Sequence, residues 1–529
     1  MAMHSIVRYL PWLATAPGAL LASTWSPWAG LLLLGLFALG CHDWLQTRQA
    51  VRRNYPLTGR LRYMLEYIRP ELRQYFLEDD EQKLPFSRNQ RAMVYARSKQ
   101  QNDKRGFGSI QDLYSHGAEW MTHSMRPTQI DPAELRVRVG AGRCSQPYAI
   151  SLLNISGMSF GALSANAVRA LNKGAALGGF AHGTGEGSIS VHHRANQGDL
   201  VWQIASGYFG CRTPEGRFDA ERFASQAQSD QVKMIEVKLS QGAKPGHGGV
   251  LPKAKVSREI ADARGVPMGQ DCVSPARHSA FSSPIELLQF VTQLRQLSGG
   301  KPVGLKLCVG HPSEWLAIVK AMLHTGQVPD FVVVDGAEGG TGAAPIEFAD
   351  HMGMPLRDGL RLVHNTLVGA GLRDQVRIGA SGKVISAFDI ARCLALGADW
   401  CNSARGFMFA LGCIQSRTCH TDHCPTGVAT QDPVRQRALV VTDKAERVYY
   451  YHANTLHALA ELLGAAGLQR ASDITPAHLM QRGTDGQVHP LSERVDTLQP
   501  GCLLAPAERR QDLPWPFNRL WDEARAEAW

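Results

Sequence analysis

The strongest constraint on the fold of this 529-residue chain is an alternation of short apolar segments with amphipathic segments between residues 147 and 412. Residues 331–335, Phe-Val-Val-Val-Asp, are apolar almost throughout, which is typical of strands buried on both faces of a parallel sheet. About eight strands separated by helices predict an α/β fold of the (β/α)8 barrel type. A doubly wound sheet is the alternative, but no Gly-x-Gly-x-x-Gly follows an early strand. The predicted strands are residues 149–155, 179–182, 233–239, 271–274, 303–308, 331–335, 376–379 and 400–402.

Polar, glycine-rich segments follow six of these predicted strands. The loops after the carboxyl ends of barrel strands form the active site of such folds. Glycines after the last two strands leave backbone N–H groups free to cradle a phosphate. We therefore predict a ligand site at this end of the barrel, with a phosphate at the last two loops. The six segments are residues 156–164, 183–187, 238–249, 335–342, 379–383 and 403–406.

Three of the 11 cysteines, Cys413, Cys419 and Cys424, lie in one polar loop with C-x5-C-x4-C spacing and a proline after the last. Thiolates so spaced suit an iron–sulfur cluster, and the absence of a nearby fourth cysteine predicts [3Fe–4S], or [4Fe–4S] with one open iron. A zinc site completed by His420 or His423 and a group of packed thiols are the alternatives. A one-electron centre beside a barrel predicts redox chemistry, usually with a flavin.

Two apolar segments, residues 6–22 and 27–45, lie near the N-terminus. Each approaches the ~20 residues that span a bilayer. Arg8 on one side and the arginines within residues 48–53 on the other predict that both ends are cytoplasmic. We therefore predict a transmembrane hairpin over residues 1–46, with the catalytic domain on the cytoplasmic side. A single span and a signal peptide are alternatives; the long apolar stretch and the basic sequence after it disfavour the latter.

The net charge of +9 comes largely from basic residues between positions 48 and 105. No nucleic-acid-binding motif accompanies them, so we predict that they face a membrane surface and that the chain binds no nucleic acid. The predicted organisation is a transmembrane hairpin, a helical adaptor, a barrel with the cysteine loop, and a helical or irregular C-terminal extension. The predicted segments are residues 1–46, 47–146, 147–432 and 433–529.

Several stretches resemble the FMN-binding synthase domain of glutamate synthases. They are Gly157-Met-Ser-Phe-Gly-Ala-Leu-Ser164, Thr184-Gly-Glu-Gly187, Lys238 through Pro245, Gly339-Gly-Thr-Gly342, and Gly412-Cys413 through Thr430. The resemblance implies a (β/α)8 barrel that holds FMN and a [3Fe–4S] cluster. It also implies reduction of 2-iminoglutarate, formed from 2-oxoglutarate and ammonia, to L-glutamate. Electrons would come from a donor protein such as ferredoxin or a reductase subunit, or from a membrane carrier.

By position, the resemblance implies roles for particular residues. Cys413, Cys419 and Cys424 would ligate the cluster. Lys306 would lie near N1 of the flavin and stabilise its anionic reduced form. The residues implied around the flavin and 2-oxoglutarate, as the catalytic set, are Glu186, Lys238, Gln241, Lys244 and Arg264. The residues assigned to the flavin, with its phosphate at the last two loops, are Gly157, Met158, Ser159, Gln241, Lys306, Gly339, Gly340, Thr341, Gly379, Gly382, Lys383, Arg405 and Gly406.

The chain also departs from the family pattern. Full-length members begin with a glutaminase domain whose nucleophile is an N-terminal cysteine, whereas this chain begins Met-Ala-Met and continues into apolar sequence. We therefore expect free ammonia, or ammonia from a partner, as the nitrogen source. His247 and Val250 stand where an acidic residue and a glutamine are more usual. The alternative functions are a flavoenzyme for another amine or 2-oxo acid, such as an N-substituted glutamate synthase, and a non-catalytic redox subunit.

Overall fold

The computed structural model of the chain describes residues 7–83 and 85–529. They form two compact units, one ending at Asn89 and the other comprising Gln90–Trp529. The second unit contains the whole predicted barrel and begins inside the segment predicted as an adaptor. The first six residues of the predicted hairpin, and Leu84 of the predicted adaptor, lie outside the described residues.

Eight parallel strands close a barrel in the second unit, which confirms the predicted fold class. Each strand pairs with the next one along the chain, and the last pairs with the first to close the barrel. In chain order, β1 to β8 are Leu153–Ile155, His182–Gly183, Leu200–Ile204, Val232–Lys238, Val303–Leu307, Phe331–Asp335, Arg377–Ser381 and Trp400–Ser403.

One barrel strand was missed and one predicted strand lies elsewhere. The missed strand is β3, which only the four-residue helix Val191–Arg194 separates from β2. The segment predicted as the fourth strand contains Cys272–Val273, which pairs antiparallel with Val250–Leu251 outside the barrel. Residues 233–239 therefore belong to the fourth strand and not to the third.

The predicted first strand is divided into two. Its first half, Tyr148–Ser151, forms an antiparallel ribbon with Arg136–Val139. Only Leu153–Ile155 joins the barrel. A further three-stranded sheet pairs Glu119–Met121 with Leu479–Arg482, which pairs in turn with Val488–Pro490. This sheet ties the polypeptide before the barrel to the C-terminal extension.

Helices surround the barrel, and several begin at serines whose hydroxyl groups satisfy a backbone N–H of the first turn. Ser164, Ser257 and Ser283 each accept a hydrogen bond from the backbone N–H three residues later. The α-helices of this unit after the first strand are Ala165–Gly178, Val191–Arg194, Ala220–Ala227, Arg258–Arg264, Pro284–Leu297, Pro312–Thr325, Ile346–His351, Leu356–Gly369, Ala387–Ala395, Arg405–Leu411, Pro433–Arg437, Val441–Ala465, Ala507–Arg510 and Leu520–Glu523. The 3-10 turns are Pro132–Glu134, Lys253–Lys255, Ala471–Asp473, Pro476–His478, Leu491–Glu493 and Cys502–Leu504.

The long helix Val441–Ala465 follows the barrel in the sequence and packs on the helix Ala165–Gly178. Glycine makes this contact close, because a Cβ on Gly174 would stand 2.4 Å from a methyl group of Val448. The C-terminal extension therefore contributes to the body of the barrel unit.

The N-terminal unit is helical, and its apolar part forms a helical hairpin. Thr15–Ser23 packs against Pro27–Leu45, and the indole N–H of Trp12 donates to the carbonyl oxygen of Phe37 across the pair, 3.0 Å away. Within the described residues, only Pro27–Leu45 is both long and apolar enough to cross a membrane. The helices of this unit are Leu10–Leu13, Thr15–Ser23, Pro27–Leu45, Ala50–Asn54, Thr58–Leu72 and the π-helical turn Arg73–Leu77, and Arg88–Ser98 leads into the barrel unit.

Candidate active site

Charged side chains gather at the carboxyl end of β4, β5 and β6. In β4, Glu236 and Lys238 are two residues apart and therefore share one face of the strand. The strand register places Lys238 directly beside Lys306 of β5. Asp335 ends β6. Two neighbouring buried ammonium groups repel each other, so carboxylates must offset their charge.

Lys238 is paired with Glu186, which lies in the loop after β2. The Lys238 Nζ lies 2.9 Å from the Glu186 Oε2. Gly249 packs directly on this carboxylate, because a Cβ there would stand 2.2 Å from the Oε1. Burial raises the pKa of Glu186, but Lys238, Lys244 and Arg264 more than offset that effect and lower it. Glu186 is therefore ionised.

Lys306 is paired with Asp335 of the neighbouring strand, with 3.7 Å between Nζ and Oδ2. Asp335 also accepts a hydrogen bond from the backbone N–H of Gly242. Burial lowers the pKa of Lys306, but Asp335 and Glu236 outweigh it and raise the pKa. Glu236 accepts a hydrogen bond of 2.6 Å from the Gln203 amide, and burial raises the pKa of its carboxyl group. Lys306 is therefore a fixed positive charge inside the barrel mouth.

Lys244 differs from the other two lysines because it lacks a paired carboxylate. Its side chain is only 8% exposed, and no described carboxylate lies within ion-pair distance of its ammonium group. Burial lowers its pKa, the charge of Glu186 raises it, and Lys238 lowers it, so the pKa falls below the ordinary lysine value. Burying a cation without a partner destabilises the folded protein, and an anionic ligand that pairs with the cation offsets this cost. Lys244 is therefore the cation best placed to receive a carboxylate.

Arg264 holds the loop after β1 in place. It is 4% exposed, and its Nη2 donates to the carbonyl oxygen of Phe160 at 3.1 Å. Its guanidinium lies 5.2 Å from the ring centre of Phe209. The structure thus brings Glu186, Lys238 and Lys244 together and places Arg264 beneath the first loop. Gln241 is half-buried in the same loop as Lys244.

The loops after β1 and β2 meet backbone to backbone. A Cβ on Gly185 would stand 2.5 Å from the backbone nitrogen of Ser159. A Cβ on Gly157 would stand 2.9 Å from the side-chain nitrogen of Gln203. The segment Gly157–Ser159 therefore lies against the loop after β2 at the barrel mouth. A side chain at position 157 or 185 would push the two loops apart.

Arg405 joins the loop after β6 to the region of the cysteine loop. Its Nη2 donates to the carbonyl oxygen of Thr341 at 2.8 Å. A Cβ on Gly340 would stand 2.8 Å from the same nitrogen. The charge of Arg405 also acts to lower the pKa of Cys413. Gly339 is next to Gly340 in the sequence. Gly406, in the first turn of the helix Arg405–Leu411, packs against the hydroxyl group of Tyr451.

The three residues expected at the phosphate after β7 lie in different environments. Gly379 is inside the strand, and the Trp400 indole fills the space that its side chain would need, 2.8 Å from an added Cβ. This glycine therefore serves core packing. Gly382 and Lys383 lie in the loop itself, both with positive φ, and Lys383 is exposed.

Two residues far away in the sequence hold the cysteine loop. The Tyr95 hydroxyl donates to the carbonyl oxygen of Cys413 at 2.6 Å, and the Lys255 ammonium donates to that of Cys419 at 2.9 Å. Burial raises the pKa of the Cys413 thiol to about 11, and Cys419 and Cys424 add to this effect. The three thiols therefore lie near enough to interact electrostatically.

Cys424 lies in a nest of hydrogen-bond donors. Burial raises its pKa, but the Thr426 hydroxyl and the backbone N–H groups of Ala429, Thr426 and Val428 more than offset that and lower it. Such donors are typical of thiolates that ligate iron–sulfur clusters. Across residues 7–83 and 85–529, however, no three Cys, His, Asp or Glu side chains converge as a metal-binding group. His420 and His423 are exposed, so the donor environment fits a cluster better than it fits zinc.

Several residues of this site were not predicted from the sequence. Asp335, Glu236 and Gln203 complete the charge network, and Lys255 and Tyr95 hold the cysteine loop. The period of two along β4 places Glu236 on the face of Lys238, so this residue could have been found from the pattern. Tyr95 and Lys255 carry no local signal, because their contacts join distant parts of the chain.

Comparison with known proteins shows a consistent set of relatives. Residues 89–469, well over half of the chain, match the family model for the conserved region in glutamate synthase. The glutamate synthase large subunit-like protein YerD of Bacillus subtilis (strain 168) is 39% identical over 488 residues, which cover 84% of this chain and 92% of that protein. The archaeal glutamate synthase (NADPH) of Methanocaldococcus jannaschii is 37% identical over 315 residues, 59% of this chain and 58% of that protein. The archaeal-type glutamate synthase (NADPH) of Thermotoga neapolitana is 33% identical over 312 residues, which cover 59% of this chain and 58% of that protein.

Proposed function

Because the chain belongs to the glutamate synthase family, whose members are oxidoreductases, we propose that it reduces 2-iminoglutarate to L-glutamate. The imine would form from 2-oxoglutarate and ammonia. The observation that carries this proposal is the buried, unpaired ammonium of Lys244 beside the ionised Glu186–Lys238 pair. A dicarboxylate substrate supplies the missing anion, and the paired glutamate supplies a proton acceptor next to it.

Lys244 binds a carboxylate of 2-oxoglutarate through a charge-assisted hydrogen bond. Ammonia adds to the keto carbon, Glu186 relays a proton from the attacking nitrogen to the former keto oxygen, and that oxygen then leaves as water while the imine forms. Lys238 holds the Glu186 carboxylate in position throughout. The burial of this group keeps bulk water from competing for the imine.

The barrel mouth would hold FMN, which supplies a hydride equivalent for the imine carbon. At one side of the mouth, the flavin would approach the backbone of Gly157, Met158 and Ser159. At another side it would approach Arg405, Gly340 and Thr341. Lys306, with its raised pKa, would supply a positive charge to the bound flavin. Gly382, Lys383 and Gly406 remain the proposed phosphate contacts, and the packing of Gly379 on Trp400 argues against a direct contact there.

Cys413, Cys419 and Cys424 would hold an iron–sulfur cluster, which supplies one-electron transfer. The nest of donors around Cys424 and the two anchoring contacts from Tyr95 and Lys255 support this assignment. The loop would have to bring its three thiols together around the metal. Electrons would come from ferredoxin, a reductase subunit or a membrane carrier.

We further propose that the apolar hairpin anchors the enzyme in a membrane, with the barrel on the cytoplasmic side. The helix Pro27–Leu45 and the close packing at Gly40, where an added Cβ would collide with the Trp12 ring, support a membrane hairpin. Deletion of residues 1–45 should release a soluble protein that retains its flavin. Full-length protein that remains soluble without detergent would contradict the anchor.

A related substrate, an N-alkyl amine in place of ammonia, is the second candidate. His247 and Val250 are exposed at the rim of the Lys244 loop, and the His247 ring meets Phe348 edge-on at 5.4 Å. An imidazole and a phenyl ring at this rim favour a larger, partly apolar amine over ammonium alone.

A substrate screen tests the function. Anaerobic protein with chemically reduced flavin is mixed with pairs of 2-oxo acids and amines, and flavin reoxidation is followed by absorbance. We expect 2-oxoglutarate with ammonium to reoxidise it fastest, and methylamine in place of ammonium identifies the second candidate. Reoxidation by no pair would support a non-catalytic redox subunit and overturn the proposal.

A further inference from the structure

A second cleft lies outside the barrel mouth, between the segment after Glu186, the segment after β3 and the helix Arg258–Arg264. It has a volume of about 220 Å³. This is below the ~300–1,000 Å³ of sites for drug-sized ligands, so it suits a small molecule. The polar residues of its lining are Ser188, Arg212, Arg222, Gln226 and Asp262. None of them takes part in the proposed reaction.

Two buried polar atoms in the wall of this cleft lack a partner. The Ser188 hydroxyl and the Arg212 Nε are buried and make no hydrogen bond with any described residue. Ser188 is 1% exposed and has a φ of 73°, a region that a residue with a side chain rarely adopts. Gly210 makes room for its hydroxyl, because a Cβ there would stand 2.0 Å from the Ser188 Oγ. Buried polar atoms are normally hydrogen-bonded, so these two have hydrogen-bonding capacity that a ligand in the cleft would use.

The charges in the cleft are of both signs and remain apart. Arg222 is paired with Asp219, 3.4 Å away, and donates to the backbone carbonyl of Arg212. Arg212 and Asp262 line the same cleft, yet neither forms an ion pair within the described part of the chain. One free cation and one free anion facing a single small space match the two charges of a zwitterion.

We propose that this cleft binds a small α-amino acid as its zwitterion. The guanidinium of Arg212 and the hydroxyl of Ser188 receive the carboxylate, and Asp262 receives the ammonium group. Ser188 follows Glu186 by two residues and Asp262 precedes Arg264 by two, so an occupant contacts both segments that support the catalytic glutamate. This site is separate from the Lys244 site and does not depend on the reaction assigned there.

Calorimetric titration of the full-length holoenzyme tests the proposal. The probes are L-alanine, L-serine and L-glutamine, with propionate and ethylamine as analogues that lack one charge each. We expect at least one amino acid to bind at a single site, and both analogues of alanine to bind about tenfold more weakly or not at all. Arg212→Gln and Asp262→Asn should each weaken amino-acid binding about tenfold.

The control is Arg217→Gln, an exposed arginine of the adjacent turn outside the cleft, which should leave binding unchanged. Flavin content and melting temperature verify that each variant is folded, and Asp262 is exposed, so Asp262→Asn tests the cleft without disturbing the core. Absence of binding for every amino acid at about 10 mM overturns the proposal. Binding of inorganic phosphate with no effect of Asp262→Asn overturns it as well, because the cleft would then be an anion site.

Discussion

Lys238 and Glu186 form a largely buried ion pair at the carboxyl end of the barrel, with 2.9 Å between the ammonium nitrogen and a carboxylate oxygen. This pair fixes the charge of Glu186 and leaves Lys244, in the loop above it, without a carboxylate of its own. The three lysines therefore differ in their partners: Lys238 is paired with Glu186, Lys306 is paired with Asp335, and Lys244 has no described carboxylate within ion-pair distance.

Lys244→Ala should weaken use of 2-oxoglutarate while the flavin stays bound. Removing one charge-assisted hydrogen bond should lower kcat/KM by the equivalent of about 2–4 kcal/mol. Steady-state kinetics and flavin absorbance measure the two effects. Lys253→Ala, which removes an exposed lysine nearby, should change neither. Unchanged turnover of every 2-oxo acid by Lys244→Ala would refute the substrate site.

The affinity for 2-oxoglutarate should fall on the alkaline side. Burial lowers the pKa of Lys244, so its ammonium group loses its proton at a lower pH than an ordinary lysine. KM should therefore rise with increasing pH, and Lys244→Arg should move that rise to higher pH because a guanidinium stays protonated. A KM profile that is identical in the two proteins would show that another group titrates.

Glu186→Gln should slow turnover, because an amide cannot relay the proton from the attacking nitrogen to the departing oxygen. We expect kcat to fall by about 10²–10⁴-fold. The melting temperature should also fall, since Lys238 is left buried without its partner. Glu215→Gln, which changes an exposed glutamate, serves as the control. Retention of full activity by Glu186→Gln would assign the proton transfer to a different residue.

The cysteine loop should carry iron. Purified anaerobically, the protein should contain about one FMN and three to four irons per chain. Cys419→Ser should abolish the electron paramagnetic resonance signal of the cluster while circular dichroism shows a folded barrel, and Cys502→Ser should retain the signal. Native protein with tetrahedral zinc and no iron would exclude the cluster.

The barrel could be predicted because its strands are buried on both faces, which leaves apolar runs such as Phe331–Asp335 in the sequence. Strand β3 escaped prediction because a helix of four residues separates it from β2, far shorter than the helix expected between barrel strands. The segment around Cys272–Val273 was predicted as a barrel strand instead of β3. A short apolar pair has the same local pattern whether it joins a barrel or a two-stranded ribbon.

Within the site, residues on a shared strand face could be predicted and long-range contacts could not. Lys238 ends β4, and Lys306 lies beside it in register, one residue before the end of β5. The contact of Lys255 with Cys419 joins positions 164 residues apart, which no local pattern reveals. Gly379 resembled a phosphate-loop glycine, but the space beside it is taken by Trp400 of the next strand, which only the packed structure shows.

The central claim is tested most directly by a single turnover with isotopically labelled ammonium. Anaerobically reduced full-length protein is mixed with 2-oxoglutarate and the label, and both flavin absorbance and labelled L-glutamate are measured. The account predicts that labelled glutamate appears in an amount equal to the flavin reoxidised, and that Lys244→Ala lowers the rate of both. Flavin that stays reduced, or that reoxidises without labelled glutamate, would contradict it.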